Sequence, residues 1–302
     1  MTKTVIIIAG PTAVGKTAVA IEIAKHFSTE IISADSRQCY KELNIGVARP
    51  SDEELATVPH HFIASHSVND IVNAGVFEQY ALEKTNQLFQ QSDVLVMVGG
   101  TGLYIKAFCE GMDFIPQVPD QIRKEVIKAY NKNGLPWLQE HVKTLDPQFY
   151  DVGEVQNPQR LMRALEIFYA TKKSILDFRK GNKETRDFKL AKIALELPQE
   201  MLYQNINERV DKMMESGLLD EVRSLMPYQH LNALQTVGYK ELFDHLNGKI
   251  ALTDAVAEIK KNTRQYSKRQ LTWFKKDKDY AWFQPGHVDK IKEHLKDALI
   301  YK

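Results

Sequence analysis

The sequence predicts an α/β fold, in which a parallel sheet is flanked by helices, with a mostly helical insertion domain and a helical C-terminal part. Two observations predict it. Short apolar runs alternate with helical patterns in the first third of the chain, and helical patterns dominate after Gly111. The 302 residues, 43% of them hydrophobic, suffice for two domains or for one large domain with an insertion.

Three apolar runs in the first third have the length of buried strands, residues 4–9, 30–34 and 94–98. Helical patterns at residues 17–27 and 76–90 separate them. Ligands of such sheets bind at the carboxyl ends of the strands. The candidate site therefore comprises the segments that follow the three runs, residues 10–17, 35–40 and 99–102.

The remainder of the chain reads mostly as helices, after a linker at residues 115–119 that contains two prolines. The predicted helices are 120–131, 136–145, 158–172, 199–216, 218–226, 239–247 and 252–275. Residues 192–197 alternate like a strand and are expected to rejoin the first sheet. We assign residues 1–115 and about 188–302 to a catalytic core, and about 116–187 to a helical insertion domain.

Charge is distributed unevenly, although the net charge is only +1. Residues 1–111 carry 8 basic and 12 acidic side chains, and residues 112–302 carry 32 and 27. This favours a polyanionic partner for the C-terminal part. The two cysteines, Cys39 and Cys109, are expected to stay reduced, which fits a cytoplasmic protein. No signal peptide and no membrane span are predicted.

Residues 10–17 read GPTAVGKT and match the phosphate-loop pattern G-x-x-x-x-G-K-[ST] between a predicted strand and a predicted helix. Successive backbone N–H groups of such a loop point at phosphate oxygens, and the following helix adds the positive end of its dipole. The core is thus P-loop NTPase-like. The residues predicted to bind a diphosphate or nucleotide are Gly10, Pro11, Thr12, Ala13, Val14, Gly15, Lys16 and Thr17. The Thr17 hydroxyl is also the predicted ligand of Mg²⁺.

The loop by itself leaves its ligand open. An NTP hydrolase usually has a carboxylate at the end of a second core strand, which holds Mg²⁺ through water. The run at 94–98 ends instead in glycines, and its nearby acid, Asp93, precedes it. This counts against a motor or switch ATPase.

Three further segments carry groups suited to chemistry or recognition. Asp35, which follows a predicted strand, is placed to act as a general base or to cap its own turn. The glycine loop around Thr101 offers N–H groups and a hydroxyl to a phosphate or a base edge, or is simply a tight turn. In the insertion, Arg160 and Arg163 share a helix face, which suits RNA contact or a solvated surface.

Taken together, these motifs resemble the tRNA dimethylallyltransferase family over nearly the whole chain. The segments that carry the resemblance are GPTAVGKT (10–17), DSRQCY (35–40), IGVARP (45–50), VPHH (58–61), GGTGLY (99–104), NPQRLMRALE (157–166), SGLLDEVR (216–223), VGYKE (237–241) and KRQLTWF (268–274). Their number and order make the resemblance specific. Val47 and Arg49 depart from the family pattern, which usually has Thr and Lys there.

The resemblance implies transfer of a dimethylallyl group from dimethylallyl diphosphate to N6 of adenine 37, in tRNAs that read codons starting with U. It implies Mg²⁺ as cofactor and the anticodon stem-loop of tRNA as partner, and we expect a monomer. Asp35 would be the base, Thr101 would orient the adenine, and Arg223 would bind the diphosphate. The residues that would contact tRNA are Asp35, Ser36, Arg37, Gln38, Thr101, Arg123, Gln159, Arg160, Leu161, Met162 and Arg163.

Three other functions fit parts of the same pattern. A small-molecule kinase would use the loop for ATP and Asp35 as base toward a hydroxyl, and would consume ATP without tRNA. A non-catalytic RNA-binding protein would need neither Asp35 nor Thr101. An enzyme that prenylates free adenine nucleotides would need neither the insertion nor the basic C-terminal helix.

Overall fold

The structure is a computed structural model that describes residues 2–181 and 183–300, the side chains of 297–300 excepted. The chain divides into two compact units. One comprises Met1–Glu110 and Thr185–Lys302, and the other is Gly111–Glu184. The predicted insertion covers most of the second unit.

A parallel sheet forms the centre of the first unit. In the described part of the chain it has six strands in the order β3-β2-β4-β1-β5-β6, and every neighbouring pair is parallel. The strands are β1 (Thr4–Ala9), β2 (Ile31–Ser33), β3 (His60–His61), β4 (Val94–Gly99), β5 (Lys189–Leu195) and β6 (Ala281–Phe283). The predicted P-loop NTPase-like fold is confirmed, including the return of the chain to the sheet as β5. The strands β3 and β6 were not predicted, because runs of two and three residues carry no periodic signal.

Helices cover the sheet. Those of the first unit are α1 (Lys16–His26), α2 (Asp52–Thr57), α3 (Ala74–Leu88), α4 (Gly102–Glu110), α8 (Gln199–Glu215), α9 (Leu218–Ser224), α10 (Tyr239–Leu246), α11 (Leu252–Phe274) and α12 (Val288–Ile300). Sequence analysis missed α2, α4 and α12. None of the helices in the described ranges is long and apolar enough to cross a membrane.

The central strand β1 has core on both of its faces. Val5 and Ile7 belong to one hydrophobic cluster, and Ile6 and Ile8 belong to another. Successive side chains of a strand point to opposite faces, so the side chains on both faces of this continuous apolar run are buried. With both faces covered, the carboxyl ends of the strands remain as the place for a site.

The second unit is helical and has its own core. It contains α5 (Asp120–Leu145), α6 (Pro147–Val152) and α7 (Pro158–Thr171). Gly134, with φ of 75°, divides α5 into two helical stretches, as the sequence predicted. Leu138 of α5, Phe149 of α6 and Leu161 of α7 are at most 2% exposed and pack together.

Candidate functional site

The phosphate loop has the backbone conformation that its sequence predicts. Gly10 has φ of +146°, and a Cβ atom there would lie 2.7 Å from the backbone oxygen of Leu195, so only glycine fits. Lys16 Nζ donates a hydrogen bond of 2.6 Å to the carbonyl oxygen of Pro11. The side chains of Pro11 and Val14 are buried, so these two residues offer backbone groups only.

A cavity of about 330 Å³ lies beside this loop, and we call it the phosphate cavity. It brings together the three strand-end segments, which contribute Lys16 and Thr17, Asp35, and Gly100. Arg209, from α8, and Tyr266 and Gln270, from α11, also line it. The candidate site therefore depends on two helices that lie far from the loop in sequence.

The charged side chains that line the phosphate cavity include the cations Lys16, Arg49 and Arg209 and the carboxylates Asp35 and Glu54. Burial and the neighbouring Arg209 together lower the pKa of Lys16 to about 7, against the opposing effect of Asp35. Burial also lowers the pKa of Arg209, again opposed by Asp35. Neighbouring cations in a partly buried site favour a polyanionic ligand, because its charge offsets their mutual repulsion.

Arg209 is one of the site residues that the sequence analysis did not identify. Its guanidinium donates a hydrogen bond of 3.1 Å to the hydroxyl of Thr12 and so reaches the phosphate loop. Its signal in the sequence was weak. Leu202, Ile206 and Val210 form the buried stripe of α8, and Arg209 stands at the edge of that stripe.

The position of Arg223 corrects the expectation that it binds the diphosphate. Its side chain lies on α9, is 56% exposed and pairs with Asp220 one turn earlier. It does not line the phosphate cavity, whereas Arg209 does. Arg223 faces solvent because α9 buries Leu218 and Val222, which lie on the other side of this short helix.

Asp35 combines the two roles that its sequence position left open. Its Oδ1 accepts hydrogen bonds from the backbone N–H groups of Arg37, at 2.8 Å, and Gln38, at 3.2 Å, which is an Asx-type turn. Its Oδ2 makes no hydrogen bond within the described residues. One oxygen therefore fixes the carboxylate, and the other is available to take a proton in the phosphate cavity.

Thr101 is held beside Asp35 by its contacts with Ser36. The Thr101 hydroxyl accepts a hydrogen bond of 3.1 Å from the backbone N–H of Ser36, and lies 3.3 Å from the Ser36 hydroxyl. Desolvation of its hydroxyl and the nearby Asp35 together raise the pKa of Tyr266 to about 12, against the opposing hydrogen bond with Thr101. The Tyr266 phenol is therefore neutral at physiological pH and is a hydrogen-bond donor.

The side chains of Arg37 and Gln38, both expected to contact tRNA, make internal hydrogen bonds. The Arg37 guanidinium donates to the carbonyl oxygens of Asn232 and Ala233, both at 3.0 Å. Gln38 Nε2 donates to the carbonyl oxygens of Val47, at 3.3 Å, and Ala48, at 2.9 Å. These two side chains shape the site, and Gln38 in particular anchors the segment 44–50.

The segment 44–50 is held from its other side by one carboxylate. Glu221 accepts hydrogen bonds from the backbone N–H groups of Asn44, Ile45 and Gly46, at 2.8 to 3.2 Å. The Tyr239 hydroxyl donates to the same carboxylate at 2.6 Å. Burial and Glu221 raise the pKa of Tyr239 well above its usual value, so it remains a donor.

Arg49, which departs from the family pattern, belongs to this anchoring as well. Its guanidinium donates to the carbonyl oxygens of Tyr40, at 2.7 Å, and Lys41, at 3.1 Å, and also to that of Leu43. Val47 takes part through its backbone, by accepting from Gln38.

A second cavity, of about 240 Å³, shares Asp35 and Arg209 with the phosphate cavity. Its further lining combines hydrophobic side chains with polar ones such as Thr236 and Thr263, and we call it the apolar cavity after its hydrophobic wall. The hydrophobic side chains that line it are Val47, Val210, Met213, Val237 and Ile259. An apolar group joined to a polyanion fits the two cavities together.

The predicted RNA contacts of the insertion fall into two classes. Arg160 is exposed and pairs with Glu154 at 2.8 Å. Arg123 and Arg163 both approach Glu166, at 4.0 and 3.1 Å. These three arginines, with Gln159, lie at the surface or partly exposed.

Leu161 and Met162 correct the prediction, because their side chains cannot contact RNA. They are 0% and 5% exposed and belong to the core of the second unit. The reason is the helix period of α7, which turns these two side chains inward and Arg160 and Arg163 outward.

Several basic side chains of α11 have partners in the first unit. Lys260 pairs with Asp211 at 2.6 Å, and Arg264 donates to the Asn207 side chain at 2.7 Å. Lys268 lies over the ring of Tyr203, with its Nζ 5.8 Å from the ring centre. Part of the positive charge of the basic C-terminal helix therefore serves packing of α11 against α8.

Within the described residues, no group of three or more His, Cys, Asp or Glu side chains is placed to hold a metal ion. Oxygen donors that line the phosphate cavity include the Thr17 hydroxyl and the carboxylates of Asp35 and Glu54. Oxygen donors of this kind suit Mg²⁺, which retains several waters and usually binds together with substrate phosphates.

Comparison with known proteins gives consistent results. Residues 38–277 match the family model of the IPP transferases. The chain is 50% identical over 284 residues, 94% of each protein, to the tRNA dimethylallyltransferase of Christiangramia forsetii. It is 45% identical over 293 residues to tRNA dimethylallyltransferase 1 of Bacteroides thetaiotaomicron, over 97% of this chain and 95% of that protein.

Solved structures show the same similarity. The full-length tRNA isopentenylpyrophosphate transferase of Bacillus halodurans superposes with a TM-score of 0.73 at 32% identity, over 98% of this chain and 97% of that one. A eukaryotic dimethylallyltransferase acting on tRNA superposes with a TM-score of 0.69 at 27% identity, over 90% of this chain and 70% of that one.

Proposed function

The chain belongs to the IPP transferase family, and we propose that it transfers a dimethylallyl group from dimethylallyl diphosphate to N6 of adenine 37 in tRNA. The observation that carries the proposal is the pair of adjoining cavities, which share Asp35 and Arg209. One is lined by the phosphate loop and by the cations Lys16 and Arg209, and the other has a wall of hydrophobic side chains. The family relationship and the tRNA-modifying activity named for its relatives support the same conclusion.

The phosphate cavity serves the leaving group. As the bond between C1 of the dimethylallyl group and the diphosphate oxygen breaks, negative charge grows on the diphosphate and positive charge spreads over the allyl carbons. The backbone N–H groups of residues 10–17, the Lys16 ammonium and the Arg209 guanidinium stabilise that negative charge. Diphosphate binding also restores the proton that burial disfavours on Lys16.

The apolar cavity is the proposed place of the dimethylallyl group. Its side chains exclude water, which would otherwise capture the electron-poor allyl carbons. The hydroxyls of Thr236 and Thr263 also line this cavity, so the dimethylallyl group is assigned to the wall formed by Val210, Met213 and Ile259.

Asp35 is the proposed base. The adenine N6 attacks C1, the C1–O bond breaks, and one N6 proton passes to Oδ2 of Asp35. The products are N6-dimethylallyladenine in the RNA and inorganic diphosphate. Thr101, held by Ser36, is placed to orient the adenine next to the carboxylate.

Mg²⁺ remains a proposed cofactor, with the Thr17 hydroxyl as the side chain that would hold it beside the diphosphate. When bound, it would neutralise charge on the diphosphate.

Adenine 37 must leave the anticodon stack to reach the site, as in other enzymes that modify bases. The exposed Arg160 of the second unit is proposed to contact the RNA backbone, and a tRNA substrate implies that the enzyme works in the cytoplasm.

The test is incubation with labelled dimethylallyl diphosphate, Mg²⁺ and an anticodon stem-loop with adenines at positions 36 and 37. We expect label in the RNA, and none when guanine replaces adenine 37. Label in free adenine nucleotides but not in RNA would contradict the proposal. ATP consumption without RNA would instead identify a small-molecule kinase.

A further inference from the structure

Gln270 of α11 connects the two glycine loops of the site. Its Oε1 accepts a hydrogen bond of 2.8 Å from the backbone N–H of Thr12, in the phosphate loop. Its Nε2 donates a hydrogen bond of 2.9 Å to the backbone oxygen of Gly100, which precedes Thr101. The side chain is only 6% exposed, so both bonds form away from bulk water. The buried amide of Gln270 thus links the phosphate loop, which is proposed to bind the leaving group, to the Thr101 loop, which is proposed to orient the adenine.

Gly100 is fitted to this amide. A Cβ atom on Gly100 would lie 2.3 Å from Nε2 of Gln270, whereas its next neighbours would be 3.5 Å away. The φ angle of Gly100 is not in the left-handed region, so its backbone would accept alanine. The Gln270 side chain is therefore what excludes a larger residue at position 100.

The neighbours of Gln270 on α11 contact the same loop. Tyr266 and Trp273 lie one turn to either side of it along the helix, so the three side chains share a face. Tyr266 meets Thr101, and a Cβ atom on Gly102 would lie 2.1 Å from the Trp273 indole nitrogen. Three consecutive residues of the glycine loop are thus each matched by one residue of this α11 face.

We propose that Gln270 is a positioning residue, which sets the distance between the phosphate loop and the Thr101 loop and thereby aligns the allylic diphosphate with the adenine. This role rests on the function proposed above. Both polar atoms of the Gln270 amide are engaged with backbone groups, so it acts through the two loops. Misalignment of reacting groups by about 1 Å can cost about 100-fold in rate.

The first test uses Gln270→Met, which keeps the length of the side chain and removes both hydrogen bonds. Single-turnover reactions at saturating substrate separate rate from the fraction of active enzyme. We expect the rate constant to fall about 10- to 100-fold, with amplitude and both substrate affinities unchanged within a factor of about three. The matched control is Gln265→Met, an exposed glutamine on the same helix, which should leave all values unchanged.

A second test uses the contact with Gly100. Gly100→Ala should slow the reaction because its methyl group displaces Gln270. Gln270→Ala removes the obstacle, so the double variant Gly100→Ala/Gln270→Ala should react as fast as Gln270→Ala alone. Additive losses would contradict coupling through this contact.

A third measurement is independent of the reaction. Hydrogen exchange of the Thr12 amide should be faster in Gln270→Met than in the wild type, because its acceptor is gone. Unchanged exchange would show that the bridge does not form. A rate constant equal to that of Gln265→Met, or a loss confined to diphosphate affinity, would overturn the positioning role. Wild-type enzyme that labels no RNA would overturn the proposed function itself, whatever the exchange result.

Discussion

The Tyr239 hydroxyl donates a 2.6 Å hydrogen bond to Glu221, and this carboxylate in turn binds three consecutive backbone N–H groups of the segment 44–50. Gly46, the last of the three, lies against the Tyr239 ring, where a Cβ atom would come within 2.6 Å. The segment lines both cavities through Val47 and Ala48. An interaction between α9 and α10 therefore fixes one wall of the site.

Tyr239→Phe removes one hydrogen bond from that carboxylate and keeps the ring that packs on Gly46. We expect the free energy of unfolding to fall by about 1.5 to 3 kcal/mol, the usual range for a hydrogen bond to a charged group. Urea unfolding measures it. The control is Tyr228→Phe, whose ring is 39% exposed and which should change stability little. An equal effect of both changes would rule out the anchoring role.

Arg209→Lys should weaken binding of dimethylallyl diphosphate, because lysine keeps the charge but loses the fork that can reach Thr12 and phosphate oxygens together. We expect an affinity loss of about 10- to 100-fold, measured by calorimetry. Arg223→Lys is the matched change at an exposed arginine and should be neutral. If Arg223→Lys had the larger effect, the sequence-based assignment would be right and our correction wrong.

Asp35→Asn should separate the base from the turn cap. The asparagine side-chain oxygen can still accept from the backbone of Arg37 and Gln38, so the turn is kept. Loss of the base should lower kcat by about 10²- to 10⁴-fold while tRNA affinity is retained. Asp35→Ala removes cap and base together, and should lower thermal stability as well. Turnover near wild type in Asp35→Asn would exclude Asp35 as the base.

Diphosphate binding should take up protons above neutral pH. In the free protein the pKa of Lys16 is about 7, so at pH 8 the amine is mostly neutral. A bound diphosphate favours the ammonium and raises this pKa, so a proton is taken up and affinity falls as pH rises above about 7. Calorimetry at pH 8 in buffers of different ionisation enthalpy measures the uptake. Lys16→Met should abolish the proton uptake that comes from this amine. If the same uptake were measured in Lys16→Met, the proton would bind to another group.

Arg160→Ala should weaken binding of the anticodon stem-loop and leave diphosphate affinity unchanged. Removing one phosphate contact should reduce the slope of log K against log salt by about one. The control is Lys132→Ala, an exposed basic residue on α5 of the same unit. Identical salt slopes in wild type and Arg160→Ala would remove this arginine from the interface.

The fold followed from local signals. Neighbouring residues determine the apolar runs of β1, β2, β4 and β5 and the strand–loop–helix context of residues 10–17. The sequence therefore predicts these features correctly. The same holds for Gly134, whose effect on the helix is local. The short strands β3 and β6 form because they pair with neighbouring strands of the sheet. A segment of two or three residues does not indicate such pairing by its sequence.

The sequence by itself determined the parallel sheet, the phosphate loop, and the meeting of Asp35 and Thr101 at one sheet edge, because parallel strands must end together. Tertiary structure decided which distant side chains reach that edge. Arg209, Glu221 and Gln270 contact residues about 170 to 260 positions away, and no local pattern distinguishes them from Arg223 on its exposed helix face. The packing of the helices determines which of these side chains reach the site. That packing depends on the whole core, and not on the residues adjacent to each side chain in the chain.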